Sequence, residues 1–146
     1  QPHDSAVTNV YDSDQRSGPY EAECRQIVAL ATGATRTECF DHTLRSGDAD
    51  TREEKKLREP TTVIHNDYTP RSGPQRVLDL MGDEAEILLA KPFAIINVWR
   101  PFLKAFGFSI FYAFSNKPHF TARYSHKIFK LFAKVHDLRL LLLVYF

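Results

Sequence analysis

TTVIHNDYTP, residues 61–70, is the stretch on which the prediction of fold and function depends. Its β-branched residues predict a strand between Pro60 and Pro70. Residues i and i+2 of a strand project to the same side, so the His65 imidazole and the Asp67 carboxylate point together. An imidazole and a carboxylate are two thirds of the 2-His-1-carboxylate set that binds non-haem Fe(II). The alternative is a polar pair at a strand end that hydrogen-bonds the neighbouring turn.

Charge divides the chain near residue 100. Residues 1–100 carry 12 Lys and Arg against 17 Asp and Glu, whereas residues 101–146 carry 7 against 1. Nine of the 11 Phe residues also follow position 100. This asymmetry indicates two regions of different origin or environment, in a chain long enough for one domain.

The two cysteines, Cys24 and Cys39, have neither CxxC nor Cys/His spacing that would suggest zinc. We therefore expect reduced thiols and a cytoplasmic location. No signal peptide is recognisable, and Gln1 in place of Met is typical of a fragment or a processed product.

Apolar periodicity predicts the elements of the first half of the chain. Residues 1–19 show no period and predict a loose segment. Apolar residues at helical spacing predict a three-turn amphipathic helix from Tyr20 that stops at Gly33. Alternation over Thr35–Leu44 predicts a strand, and the polar run at residues 46–56 predicts a flexible loop.

Two short helices and a buried strand are predicted next. Gln75–Met81 forms the first helix, and the capping-box spacing of Asp83 and Glu86 predicts a second before Ile87. Phe93–Trp99 (FAIINVW) is a continuous apolar run of strand length, and we expect it to be buried.

The residues after Pro101 are aromatic and basic. Arg100 and Lys104 lie within the apolar stretch at residues 92–114, and each would cost roughly 2.5–3.5 kcal/mol in a membrane span. The final run, LRLLLLVYF, is shorter than the roughly 20 residues of a spanning helix. We predict no membrane span and, without a recognisable module, no nucleic-acid partner. Binding of this tail to a membrane surface or a protein partner is the alternative function.

Four strings together carry a family resemblance. They are VIHNDYTPRSGPQRV, the short acidic helix DEAEILL, FAIINVWRP, and the earlier YEAECRQIVALATGATRTECFDHTLR. Over residues 11–101 the chain resembles the fungal hydroxylase/desaturase family, which includes gibberellin desaturase-like and aspergillic-acid hydroxylase-like enzymes. That family is related to a cephamycin methoxylase subunit, so members are sometimes labelled methyltransferase.

The resemblance implies a fold, cofactors and site residues. The expected fold is α+β, a partial double-stranded β-helix (jelly-roll) with flanking helices. The implied cofactors are Fe(II) and 2-oxoglutarate, and the implied partner is a small-molecule substrate of secondary metabolism. His65 and Asp67 match the first two iron ligands, and Asn97, Trp99 and Arg100 match a strand that lines the cofactor pocket.

The chain departs from the family after Pro101. Members continue with a distal His that completes the triad and a basic residue that anchors 2-oxoglutarate. We therefore expect the C-terminal half of the family fold to be missing. Residues 20–101 form the N-terminal part of the oxygenase-like domain, and residues 102–146 form a divergent tail, with a translated intron as our hypothesis for its origin. On this view the chain is an inactive fragment.

Six other residues are further candidates for a role in the site. Nothing around His119, His126 and His136 indicates the missing third ligand. His42 is interpreted as a half-exposed strand residue. Arg71 and Arg76 follow the motif, where they either meet an anionic substrate or solvate the surface.

Overall fold

The computed structural model describes residues 5–60, 67–101, 109–116 and 137–146. Within them the chain forms one four-stranded antiparallel sheet with helices between the strands, so the predicted α+β class is confirmed. The strands lie in the order β1-β4-β2-β3. The strands are β1 (Arg36–Arg45), β2 (Phe93–Pro101), β3 (Ser109–Ser115) and β4 (Asp137–Tyr145); the helices are α1 (Ser13–Gln15), α2 (Glu21–Thr32), α3 (Ala49–Lys55), α4 (Ser72–Met81) and α5 (Ala85–Leu89).

Helix α2 is the predicted amphipathic helix. Cys24 and Val28, one turn apart, are buried on its inner face. The helix ends at Gly33, which has φ of 72° and donates its N–H to the Ala29 carbonyl over 2.8 Å. Glycine is favoured there because it adopts this left-handed conformation without the steric cost of a Cβ atom.

The segment before α2 is more ordered than its composition predicts. The Asp12 carboxylate accepts the N–H groups of Asp14 and Gln15, which starts α1, and a π-helical turn at Arg16–Tyr20 leads into α2. Val7 is buried against the core. Local side-chain caps stabilise this segment, and such caps leave no apolar period in the sequence.

The prediction of a flexible loop at residues 46–56 was wrong, because α3 lies within it. The Asp48 carboxylate accepts the Thr51 N–H over 2.8 Å as an N-cap, and Lys56 ends the helix with φ of 52°. No residue of α3 is buried, so periodicity could not reveal the helix. The N-cap was the only signal available.

The two predicted short helices are confirmed, with different starts. Helix α4 begins at Ser72, three residues earlier than expected. A 3-10 turn at Gly82–Glu84 precedes α5, whose N-cap residue Glu84 makes no side-chain capping bond. The capping box predicted for Asp83 therefore does not form.

Strands β1 and β2 are the predicted strands, but β3 and β4 come from the tail. β4 lies between β1 and β2 and pairs antiparallel with both, from Arg36↔Tyr145 on one side and Phe93↔Tyr145 on the other. The predicted strand at residues 61–68 lies mostly outside the described residues. The apolar run near the end of the chain therefore forms the centre of the sheet.

Both faces of the sheet are covered. The α2-side core contains Ala94, Ile96, Val98 and Leu142, packed with Tyr20, Cys24 and Val28. The α4-side core contains Phe93, Ile95, Leu143 and Tyr145, packed with Val77, Ala85 and Leu88. Alternate residues of β2 and β4 thus enter different cores, which explains why both strands are almost continuously apolar.

Candidate functional site: Asp67 and Asn97

Asp67 and Asn97 meet at the surface of the sheet. The Asn97 Nδ2 group donates a hydrogen bond to Asp67 Oδ2 over 2.6 Å. Asn97 is 7% exposed within the buried strand β2, and Asp67 is half-buried. The contact joins the predicted carboxylate ligand to a residue of the strand that the resemblance assigned to the pocket.

Hydrogen bonds between neighbouring residues stabilise the turn after Asp67. The Thr69 N–H donates to Ser72 Oγ over 2.9 Å, and the Ser72 N–H donates to Thr69 Oγ1 over 3.1 Å. Gly73 N–H donates to the Thr69 carbonyl over 2.9 Å as α4 begins. These reciprocal bonds resemble a capping box and orient the chain that carries Asp67.

The orientation of the Asn97 amide follows from its partner. Carboxylate oxygens of an ionised Asp only accept hydrogen bonds, so the amide nitrogen must face Asp67. Asn97 Oδ1 is then buried and has no hydrogen-bond partner among the described residues. A buried acceptor without a donor is costly and rare in proteins.

Two aromatic side chains, Phe40 and Tyr68, and the cationic side chain of Arg76 form a cluster next to Asp67. A β-bulge between Cys39 and Asp41 leaves Phe40 as an extra residue of β1, and its ring lies 6.3 Å from the Tyr68 ring in an edge-on arrangement. The Arg76 guanidinium lies 5.1 Å from the centre of the Phe40 ring. Burial raises the pKa of Tyr68, with the Arg76 charge opposing the shift. Arg76 is therefore packed against aromatic rings, while Arg71 is exposed.

The structure separates the three residues assigned to the cofactor pocket. Trp99 is 6% exposed and follows Asn97 by two positions, so the alternation of β2 places both on one face. Arg100 lies on the opposite face. Its Nη1 donates to Ser5 Oγ over 2.7 Å and lies 3.8 Å from Glu23 Oε2. The three residues that the resemblance assigned to one pocket therefore lie on two faces of β2, Asn97 and Trp99 on one and Arg100 on the other.

His42 lies on the α2 side of the sheet, away from Asp67. Its Nε2 is 3.3 Å from Glu21 Oε1 but makes no hydrogen bond with it. It lines an open groove of about 270 Å³ together with Ser13, Arg16, Ser17 and Leu44. Burial lowers the pKa of His42 and the Arg16 charge adds to this effect, while Glu21, Asp41 and the Arg16 backbone oppose it.

This lowered pKa predicts a pH dependence of stability. In the unfolded chain His42 protonates near its ordinary pKa of 6.5, whereas the folded chain resists protonation to lower pH. Because the unfolded state then binds more protons, the free energy of unfolding decreases as pH falls below about 6.5. Urea unfolding between about pH 7.5 and pH 5 should show a smaller decrease for His42→Gln than for the unchanged chain. Equal decreases in the two proteins would contradict the assignment.

The cysteines take no part in this site. Both are free thiols, Cys24 buried and Cys39 half-buried. Burial raises the pKa of each to about 12. Thiols with so high a pKa are poor nucleophiles and poor metal ligands at neutral pH.

Among the described residues, Asp67 fits the role of one iron ligand. Asp67 supplies a half-buried carboxylate held by a neutral amide, the kind of partner that orients a metal-binding carboxylate. No group of three His, Cys, Asp or Glu side chains suited to a metal occurs among the residues whose placement is described. His65, His119, His126 and His136 all lie outside those residues.

The comparisons with known proteins identify the family. The family model described as "YDMC: Oxidoreductase/YMDC permease-like domain" matches residues 1–106. The chain belongs to this family. None of the helices in the described ranges is both long and apolar enough to cross a membrane.

Curated relatives confirm the resemblance to fungal hydroxylase/desaturases. "Hydroxylase/desaturase CTB9" of Cercospora beticola is 35% identical over 114 residues, which cover 70% of this chain and 35% of the relative. "Alpha-ketoglutarate-dependent dioxygenase phiK" of a fungal species is 26% identical over 103 residues, covering 68% and 37%. The chain therefore spans little more than a third of the length of these relatives.

A solved structure supports the fold. The chain matches the "iron and alpha-ketoglutarate-dependent endoperoxidase NvfI" with a TM-score of 0.73 and 16% identity, over 93% of this chain and 72% of that one. At this identity the match shows similarity of fold alone.

Proposed function

We propose that this chain supplies His65 and Asp67 to the Fe(II) centre of a 2-oxoglutarate-dependent hydroxylase/desaturase that acts on a small secondary metabolite. In this proposal the antiparallel sheet is part of a double-stranded β-helix. The chain by itself lacks an identified third ligand, so we expect it to bind iron weakly and not to turn over substrate.

The hydrogen bond between Asn97 Nδ2 and Asp67 Oδ2 is the observation that carries the proposal. Burying an amide in an apolar strand is unfavourable unless the amide is bonded, and this one is bonded to the predicted ligand. Carboxylates that bind metals are characteristically held by such outer partners. A strand-end pair that merely satisfied the adjacent turn would have no need of a residue from β2.

Each residue of the site has a proposed role. Asp67 binds the metal with His65, Asn97 orients the Asp67 carboxylate, and Trp99 forms a wall of the pocket. When bound, Fe(II) with 2-oxoglutarate would supply the oxidising chemistry, while the chain orients the substrate and excludes water. Arg100 is not part of this set, because it pairs with Glu23 and Ser5 on the other face.

Anaerobic titration with Fe(II) and 2-oxoglutarate tests the proposal. At concentrations of Fe(II) and 2-oxoglutarate that saturate a weak site, we expect the visible charge-transfer absorbance of the metal–2-oxoglutarate complex, and its loss in His65→Ala and in Asp67→Ala. Asp79→Ala is the matched control, because Asp79 is an exposed carboxylate of α4 that bonds only the Gln75 side chain in the described contacts. Absorbance that is absent from the unchanged chain, or that survives both ligand substitutions, would contradict the proposal.

The alternative of a tail that binds a membrane surface is less consistent with the structure. Leu142, Leu143 and Tyr145 of the tail are buried in the two cores and are not available to a lipid surface. We therefore do not propose it as a second function.

A further inference from the structure

Asn97 is the one polar residue in the apolar run of β2 from Phe93 to Trp99. Its neighbours on either side, Ile96 and Val98, are fully buried. An apolar residue would stabilise the strand more, since a buried amide that is not fully hydrogen-bonded costs stability. The amide therefore needs a role beyond holding the sheet together.

Only the donor end of the amide is used in the part of the chain that the structure describes. There Nδ2 donates to Asp67 Oδ2 over 2.6 Å, whereas Oδ1 is buried and accepts no hydrogen bond. Rotating the amide would not relieve this, because two acceptors would then face each other. The two ends of one amide are close together, so a group that donates to Oδ1 also lies beside the Asp67 carboxylate.

We infer that Asn97 is a positioning residue of the metal site, in which Nδ2 holds Asp67 and Oδ1 accepts a hydrogen bond from a water molecule that arrives with the metal ion. This inference rests on the proposed function of Asp67 as a ligand. Water bound to a divalent cation is a stronger donor than bulk water, because the ion lowers its pKa. A buried carbonyl oxygen next to the carboxylate ligand is placed to accept from it.

The role of Nδ2 is tested by the affinity for Mn(II), a paramagnetic substitute for Fe(II), measured from the free-ion electron paramagnetic resonance signal. Asn97→Leu replaces both ends of the amide with methyl groups on a side chain of the same branching, and we expect Mn(II) to bind about 10- to 100-fold more weakly. Asn97→Thr keeps a hydroxyl donor for Asp67 in a residue suited to a strand, and should retain more of the affinity. Unchanged affinity in Asn97→Leu, or equal losses in the two variants, would overturn the role of Nδ2.

The role of Oδ1 is tested by water-proton relaxation with Mn(II) bound. Asn97→Thr has no carbonyl to hold the bound water, so we expect its relaxation enhancement to differ from that of the unchanged protein. Identical enhancement would overturn the role of Oδ1. Asn116→Ser is the matched control, because it removes another asparagine whose Oδ1 accepts a bond, from Phe93 N–H over 2.6 Å, at the start of β2.

Two further measurements distinguish a variant that does not fold, and a failure of the proposed function, from a failure of the present inference. If Asn97→Leu does not fold, shown by loss of its circular dichroism, the relaxation of Asn97→Thr decides the inference. If Asp67→Ala binds Mn(II) as tightly as the unchanged chain, the proposed function itself fails. If Asp67→Ala weakens binding and the Asn97 variants do not, only the present inference fails.

Discussion

A chain that ends at Pro101 is expected to lose cooperative unfolding. Deleting residues 102–146 removes β4, which pairs with both β1 and β2. It also removes β3, which pairs with the other edge of β2. Leu142 leaves the α2-side core, and Leu143 and Tyr145 leave the α4-side core. Without β4, β1 and β2 share no hydrogen-bonding partner among the described strands, and their apolar faces and edges become exposed.

Thermal unfolding followed by circular dichroism, together with sedimentation, measures this effect. We expect a broad, non-cooperative signal and aggregation from the shortened chain, because FAIINVW is then an uncovered edge of high β-propensity. The full chain is the control and should unfold cooperatively. A soluble shortened monomer with a sharp transition near that of the full chain would contradict the central position of β4.

Substitutions at adjacent positions of β4 are the second prediction. Leu142 and Leu143 are both fully buried but lie in different cores, so each change to Ala opens a cavity on a different face. We expect Leu142→Ala and Leu143→Ala each to lower the free energy of unfolding by about 2–5 kcal/mol, as for other buried leucines. Urea unfolding with constant m-value is the measurement.

Leu30→Ala is the matched control for these two variants. Leu30 is the same residue type in α2 but is 80% exposed, so its truncation removes little buried surface. We expect a change within about 0.5 kcal/mol. If one of the β4 variants changed as little as Leu30→Ala, the corresponding core would not depend on β4.

Elements with a clear apolar pattern were predictable from the sequence. Helix α2 has apolar residues at helical spacing, and strand β2 is a continuous apolar run of strand length; burial follows both patterns. Helix α3 has no buried residue, so no apolar spacing marks it in the sequence, and it was not predicted. Its N-cap at Asp48 is a local signal, and the polar composition of residues 46–56 was taken to indicate a loop instead.

Strand β4 was missed for a different reason. Its composition differs from that of the rest of the chain, and residues 102–146 were therefore assigned to a tail outside the oxygenase-like domain. A short apolar run is compatible with many environments, and only pairing with β1 and β2 shows that it occupies the centre of the sheet.

The candidate site shows the same division. The placement of Asn97 and Arg100 on different faces could be predicted, because positions 97 and 100 of a strand face opposite sides. The contact of Asn97 with Asp67 was not predictable, since 30 residues separate them in the chain. The buried Oδ1 atom of Asn97, which accepts no hydrogen bond from the described residues, can likewise be identified only in the folded protein.

By itself the sequence determined the family, the HxD pair at His65 and Asp67, and the elements with a clear apolar pattern. Each of these depends on neighbouring residues, whose spacing sets which side chains share a face. Only the tertiary structure decided that the tail completes the sheet and that Asn97 holds Asp67. Both depend on contacts between distant segments, which form because burial of apolar surface favours the pairing of whole elements and not because any local pattern requires it.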